Sequence, residues 1–122
     1  MKESIAALVM LLAVNLVSGA EELNTLSEKE KADGWELLFD GKSTKGWMSW
    51  KTKKRLKAGA WAVEDGVLVK GKGGGDIYTK KAYENFEMSL EWKTEGNSGI
   101  LIRVNPEVKG PIYKVAPEMQ IE

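Results

Sequence analysis

The sequence predicts an antiparallel all-β domain carrying one short N-terminal helix, and three observations lead there. From Phe86 to Lys93 the residues alternate strictly, with Phe86, Met88, Leu90 and Trp92 on one side and Glu87, Ser89, Glu91 and Lys93 on the other, the period of a strand with one apolar and one wet face. Asp65-Gly66 sits between two short apolar runs, the signature of a two-residue hairpin. Past Gly34, short apolar or alternating runs are separated by Gly-rich turns, and no second helical period appears.

At the N-terminus, Lys2 precedes a 13-residue apolar run from Ile5 to Val17, and the small residues Ser18 and Ala20 precede Glu21 and Glu22. Residues 1–20 therefore read as a secretory signal peptide cleaved after Ala20. A membrane anchor is disfavoured, because a spanning helix needs about 20 apolar residues and Asn15 interrupts this shorter run. Removal leaves 102 residues, enough for one modest core. The expected location is periplasmic or secreted, with no stable membrane insertion after cleavage. With no Cys, a disulfide framework is excluded. Lys and Arg total 18 against 18 Asp and Glu, so no long-range field draws the chain to nucleic acid or anionic lipid.

Residues 21–34 form the N-terminal segment with the helix. Ser27 can cap its first turn, Glu30 three residues on can reach back to the cap, and Gly34 is a natural stop. Residues 35–122 form the β domain. Trp35 to Phe39 is a strand candidate closed by Asp40-Gly41; Ala60 to Glu64 and Val67 to Lys70 flank the hairpin turn. Lys51 to Lys57 holds five basic residues, but without interleaved aromatics it reads as a solvated loop rather than a nucleic-acid surface. Gly71 to Gly75 lacks the Lys-Ser or Lys-Thr of a phosphate loop and reads as a mobile turn. Ile100 to Val104 is a strand placing Ile100, Ile102 and Val104 on one face and Leu101 and Arg103 on the other.

In a final strand, Glu118, Gln120 and Glu122 share one face, with Met119 and Ile121 on the core side. Three polar groups in a row form a candidate ligand surface, although an ordinary amphipathic strand has the same pattern. Glu118 and Glu122 stand about 13 Å apart along a strand, whereas a glycosidase pair wants carboxyls at about 5–5.5 Å or about 6.5–9.5 Å, so spacing establishes no such pair. No His is present, so acid–base work falls to Glu, Asp, Lys or Tyr. No cofactor is expected, although a calcium site of carboxylates and carbonyls near Asp76 or Glu118 stays open. Of the five Trp, Trp92, Trp35 and Trp61 are expected in the core. Trp47 and Trp50, beside the basic loop, are expected as a surface pair able to stack on sugar.

The segments EKADGWELLFDGKSTKGW, WAVEDGVLVKGKGGGDIYT, YENFEMSLEWKTEGNSGILIRV and PEMQIE, in this order from about Leu26 to Glu122, resemble the 3-keto-disaccharide hydrolase domain family. That family was long held as a domain of unknown function and is similar in fold to concanavalin A-like lectins and glucanases. The resemblance implies a concanavalin A-like jelly-roll β-sandwich with a concave saccharide-binding face, of which this chain is expected to be the N-terminal portion. It also implies hydrolysis of 3-keto-glycosides or 3-keto-disaccharides by elimination next to the C3 ketone followed by water addition. Glu118 and Gln120 match the family's Glu-x-Gln pattern and Arg103 the Arg ending its Asn-Ser-Gly strand, which implies Glu118 as base or acid, Arg103 on the ketone, and Gln120 with Asn97 orienting hydroxyls. Glu91 and Asp76 follow as further substrate-binding candidates. Glu122 falls where the family often has Asp. A sugar 3-oxidoreductase is the implied functional associate, and a non-catalytic carbohydrate-binding module or a non-functional fragment are the rival readings.

Overall fold

The computed structural model describes residues 22–121; the signal peptide expected at residues 1–20 and the Glu122 side chain lie outside them. In chain order the elements are α1 (Glu28–Ala32), β1 (Trp47–Ser49), β2 (Trp61–Glu64), β3 (Val67–Lys70), β4 (Ile77–Thr79), β5 (Ser98–Leu101), a 3-10 turn (Ile112–Lys114) and β6 (Glu118–Ile121). Strands dominate and every ladder is antiparallel, with β1 on β4, β2 on β3 and β5 on β6. The all-β antiparallel class with one short N-terminal helix is therefore what the chain adopts. Among the described residues no helix is long and apolar enough to cross a membrane.

Local chemistry sets both ends of α1. Ser27 Oγ accepts from the Glu30 N–H, while the Glu30 carboxylate accepts from the Ser27 N–H at 2.7 Å, a reciprocal cap satisfying two donors the helix cannot pair internally. Hydrogen bonds from the Ser27 hydroxyl and then from its N–H hold the Glu30 carboxyl below its usual range. At the far end, Trp35 N–H donates to Glu30 C=O at 3.0 Å and Gly34 N–H to Lys31 C=O at 3.2 Å. Gly34 has φ +89°, the left-handed residue that such a paired C-terminal bond pattern requires.

The hairpin β2–β3 closes at Asp65 and Gly66, whose φ values of +49° and +76° are those of the turn whose twist matches paired strands. Asn24 Nδ2 donates to Gly66 C=O at 2.8 Å, tying the N-terminal segment to the turn. The Gly71 to Gly75 stretch is also tied down: Gly74 N–H donates to Gly71 C=O, and Trp61 Nε1 donates to Gly75 C=O, both at 2.9 Å.

Strand β1 is the most heavily braced. It pairs with β4 on one edge, and Met48 bridges to Arg55 on the other. Lys53 makes the bend between them in a left-handed conformation, φ +56°, with its N–H donated to Ser49 C=O at 2.8 Å. Trp50 follows directly and is buried, 6% exposed, as is Ile112 at 3%. The Trp50 indole N–H donates to Gly110 C=O at 2.8 Å, its ring meets Tyr78 edge-on at 6.0 Å, and the Lys53 ammonium lies over its face. Desolvation there pushes the Lys53 amine below its usual range.

Five expectations are corrected. Trp50 is a core residue, not half of a surface pair, because its one polar atom is paired with the Gly110 carbonyl and its ring finds Tyr78 and Lys53. Trp35 to Phe39 is not a strand: it pairs with no described segment, the Trp35 N–H is spent on the helix end, and the Leu38 C=O accepts from Trp47 Nε1 at 2.8 Å. Phe86 to Lys93 alternates but joins no ladder, since no described segment pairs with it. Phe86, Leu90 and Trp92 consequently stand 52%, 48% and 54% exposed, and Trp92 is not core. The strand at Ile100 ends at Leu101 rather than Val104, because the ladder closes with Ile102 N–H donating to Pro117 C=O and Arg103 then turns left-handed at φ +56°.

Candidate functional site

The β5–β6 ladder gathers the polar residues of interest. Its register pairs Ser98 with Ile121, Gly99 with Gln120, Ile100 with Met119, and Leu101 with Glu118. Because side chains alternate across a sheet, Glu118 and Gln120 share one face with Gly99 and Leu101, while Met119 and Ile121 share the other with Ile100. Met119, placed by its pattern on the core side, stands 60% exposed.

Asn97 comes two residues before Gly99 and joins the polar face through its side chain: Gln120 Nε2 donates to Asn97 Oδ1. That bond uses one donor of Gln120 and the carbonyl of Asn97. The Asn97 NH2 and the Gln120 carbonyl keep their capacity for the hydroxyls of a ligand. Beside them the Glu118 side chain folds over the Gly99 backbone, close enough that a Cβ built there would stand 2.7 Å from Glu118 Cγ. Glu118 and Gln120 of β6, with Asn97 just before β5, thus form one exposed cluster of a carboxylate and two carboxamides.

Arg103 lies just past the end of β5, exposed and left-handed. A non-glycine residue in that region costs on the order of 1 kcal/mol, and here it ends the pairing next to the strand that carries Glu118. Among the described residues the ion pairs are Lys29–Asp33, Lys31–Glu28 and Lys81–Glu36, so the Arg103 guanidinium makes none.

The remaining candidates sit elsewhere. Asp76 precedes β4 and its backbone C=O accepts from Trp50 N–H at 2.9 Å; its side chain is at the surface of that unit, not on the β5–β6 face. Trp47 is half-buried in β1 and its indole N–H is occupied by Leu38 C=O. Glu91 is exposed in the unpaired Phe86 to Lys93 stretch. Among the described residues no group of three or more Asp and Glu is arranged to hold a metal ion. Periodicity put Glu118 and Gln120 on one face, but the contributions of Gly99 and of the Asn97–Gln120 bond depend on strand register, which the sequence does not print.

Residues 34–122 match the family described as the 3-keto-alpha-glucoside-1,2-lyase-like domain. A curated protein of Bacteroides thetaiotaomicron, the 3-keto-disaccharide hydrolase, is 34% identical to this chain over an alignment covering 84% of the chain and 41% of that protein. A crystal structure from Parabacteroides distasonis, provisionally described as a glycosyl hydrolase, superposes with a TM-score of 0.62 at 37% identity, over 80% of this chain and 45% of that one. The chain thus spans about two fifths of the length of the curated relative it matches.

Proposed function

The chain belongs to the 3-keto-alpha-glucoside-1,2-lyase-like domain family, and from that premise we propose that it acts on 3-keto-glycosides or 3-keto-disaccharides, cleaving the bond at C1 by elimination and water addition. The observation that carries this reading is the single polar face of β5–β6, where Glu118 stands beside Gln120 and Asn97. A ketone at C3 acidifies the neighbouring C2–H. Glu118 takes that proton, the electron pair passes into the enolate, and the enolate expels the C1 substituent, which leaves with a proton. Water then adds to the resulting enone at C1 and a proton returns to C2, so the balance is one water consumed per bond cleaved. Arg103, whose guanidinium pairs with no carboxylate among the described residues, stabilises oxygen charge as it develops on the ketone. The carboxamides of Gln120 and Asn97 fix the sugar hydroxyls.

The substrate must be supplied by an oxidoreductase that converts the C3 hydroxyl to a ketone, and the protein is exported by the leader at residues 1–20. The rival binding-module reading relied on Trp47 and Trp50 as a stacking platform; with Trp50 6% exposed that platform is missing, which favours the catalytic reading.

Replacing the base tests the assignment. Glu118→Gln keeps the shape of the side chain and removes its basicity, so kcat should fall by about 10²–10⁴-fold with the circular dichroism spectrum unchanged. Full activity in that variant overturns the role of Glu118.

A further inference from the structure

Gly99 stands opposite Gln120 in the β5–β6 ladder, with Glu118 two residues along β6 on the same face. Its backbone makes no demand for glycine: the left-handed glycines are Gly34, Gly41, Gly46, Gly59, Gly66 and Gly110 among the described residues, and Gly99 is not one of them. Glycine in a strand interior weakens the strand and marks close approach of another group. Here that group is identifiable. A Cβ on Gly99 would stand 2.7 Å from Glu118 Cγ and 2.8 Å from Glu118 Cδ, with Oε1 closer still, whereas carbon atoms in contact sit at about 3.5–4.0 Å. A methyl group at position 99 and the Glu118 carboxylate cannot both occupy this space.

We infer that Gly99 is a positioning residue of the site, its missing side chain forming the berth that holds the Glu118 carboxylate across the ladder beside Gln120 and Asn97. The inference rests on the reading of Glu118 as the base. An exposed glutamate has three rotatable bonds and, left alone, samples many directions. Folded over Gly99, it occupies the space a methyl group would fill, which leaves fewer directions open to the carboxylate. Proton abstraction needs an approach of about 2.6–3.2 Å, and a misplacement of about 1 Å costs about 10²-fold in rate, so the berth carries a large share of the effectiveness of the base.

The test is a double-mutant cycle over Gly99→Ala and Glu118→Ala, read by thermal midpoint and by turnover of an aryl 3-ketoglucoside. Gly99→Ala in the native background should lower the midpoint and reduce kcat about 10²-fold, with KM within about 3-fold, a split that a merely structural loss would not produce. With Glu118→Ala already present, the same change should raise the midpoint, because alanine suits a strand better than glycine once the carboxylate is gone, and turnover should fall no further. Combining Gly99→Ala with Glu118→Asp, whose shorter side chain clears the methyl, should recover the midpoint lost by Gly99→Ala alone. Equal midpoint losses in both backgrounds overturn the berth. A native protein inert on the keto glycoside, with the midpoint reversal intact, instead overturns the reading of Glu118 as base and with it the catalytic part of the inference.

Discussion

Truncation of Trp50 to alanine should remove the packing centre of the β1–β4 unit. Trp50 is 6% exposed, and a Trp side chain buries about 150–250 Å², which at about 25 cal/mol per Å² corresponds to about 4–6 kcal/mol. Measured costs of Phe or Trp to Ala in cores run at about 3–5 kcal/mol, so the lower part of the first range is the working figure. The indole bond to Gly110 C=O adds about 1 kcal/mol, although Gly110 is exposed and water can replace that donor. Trp50→Ala should therefore cost about 4 kcal/mol, most of the stability of a small domain, for which totals begin at about 5 kcal/mol. Trp50→Phe retains much of the apolar contact and the edge-on meeting with Tyr78, loses the hydrogen bond, and should cost about 1–2 kcal/mol. Urea titrations followed by far-UV circular dichroism, with the slope checked for constancy, measure both. A loss under about 1 kcal/mol for Trp50→Ala would refute the placement of the core at Trp50, Tyr78 and Gly110.

Two further outcomes follow from local geometry. Gly66→Ala, at φ +76°, forces a side chain into the left-handed region and should lower stability by about 1–2 kcal/mol; an unchanged urea midpoint would contradict the β2–β3 turn described. The Asp40 carboxylate accepts from the Lys42 N–H at 2.9 Å and the Ser43 N–H at 2.7 Å, bonds that hold its carboxyl below the usual range. Because the folded form binds its proton less readily than the unfolded one, the stability these bonds contribute is present above the ordinary Asp value of about 3.9 and is lost as pH falls through the lower folded value. Native protein should thus lose its advantage over Asp40→Ala in urea midpoint below about pH 4, and an advantage that persisted undiminished at pH 2 would rule this out.

Local signals were legible where the chemistry is local. Ser27 and Glu30 announced a capping box, Gly34 the helix stop, and Asp65-Gly66 a hairpin, since each depends on residues within a few positions of one another. Pairing at a distance was not legible in this way. Phe86 to Lys93 has the cleanest alternation in the chain and yet joins no ladder among the described residues, while Trp47 to Ser49, which shows no such alternation, is paired on both edges. Alternation states which face a strand would bury; only a backbone partner makes it a strand, and that partner lies many residues away. Trp50 was misplaced for a related reason: the basic residues beside it suggested solvent, but Lys53 bends back over the ring and Gly110, sixty residues on, takes the indole N–H.

At the site the same division holds. Period two put Glu118 and Gln120 on a common face, and register then brought Asn97 and Gly99 to it. Asp76 and Glu91 are single acidic residues whose neighbours in sequence say nothing of the β5–β6 face; the first precedes β4 and the second lies in the unpaired Phe86 to Lys93 stretch. Arg103 was singled out as a charge in an apolar strand, and its left-handed backbone accounts for that: the strand ends before it, so the charge is not buried.

Leaving-group release from an aryl 3-ketoglucoside, compared with its unoxidised parent glucoside, is the decisive measurement. Release is expected from the keto form and none from the parent, since only the ketone makes the C2 proton removable by a carboxylate. Equal release from both would contradict elimination next to a ketone, and release from neither by the folded protein would contradict catalysis on this substrate class.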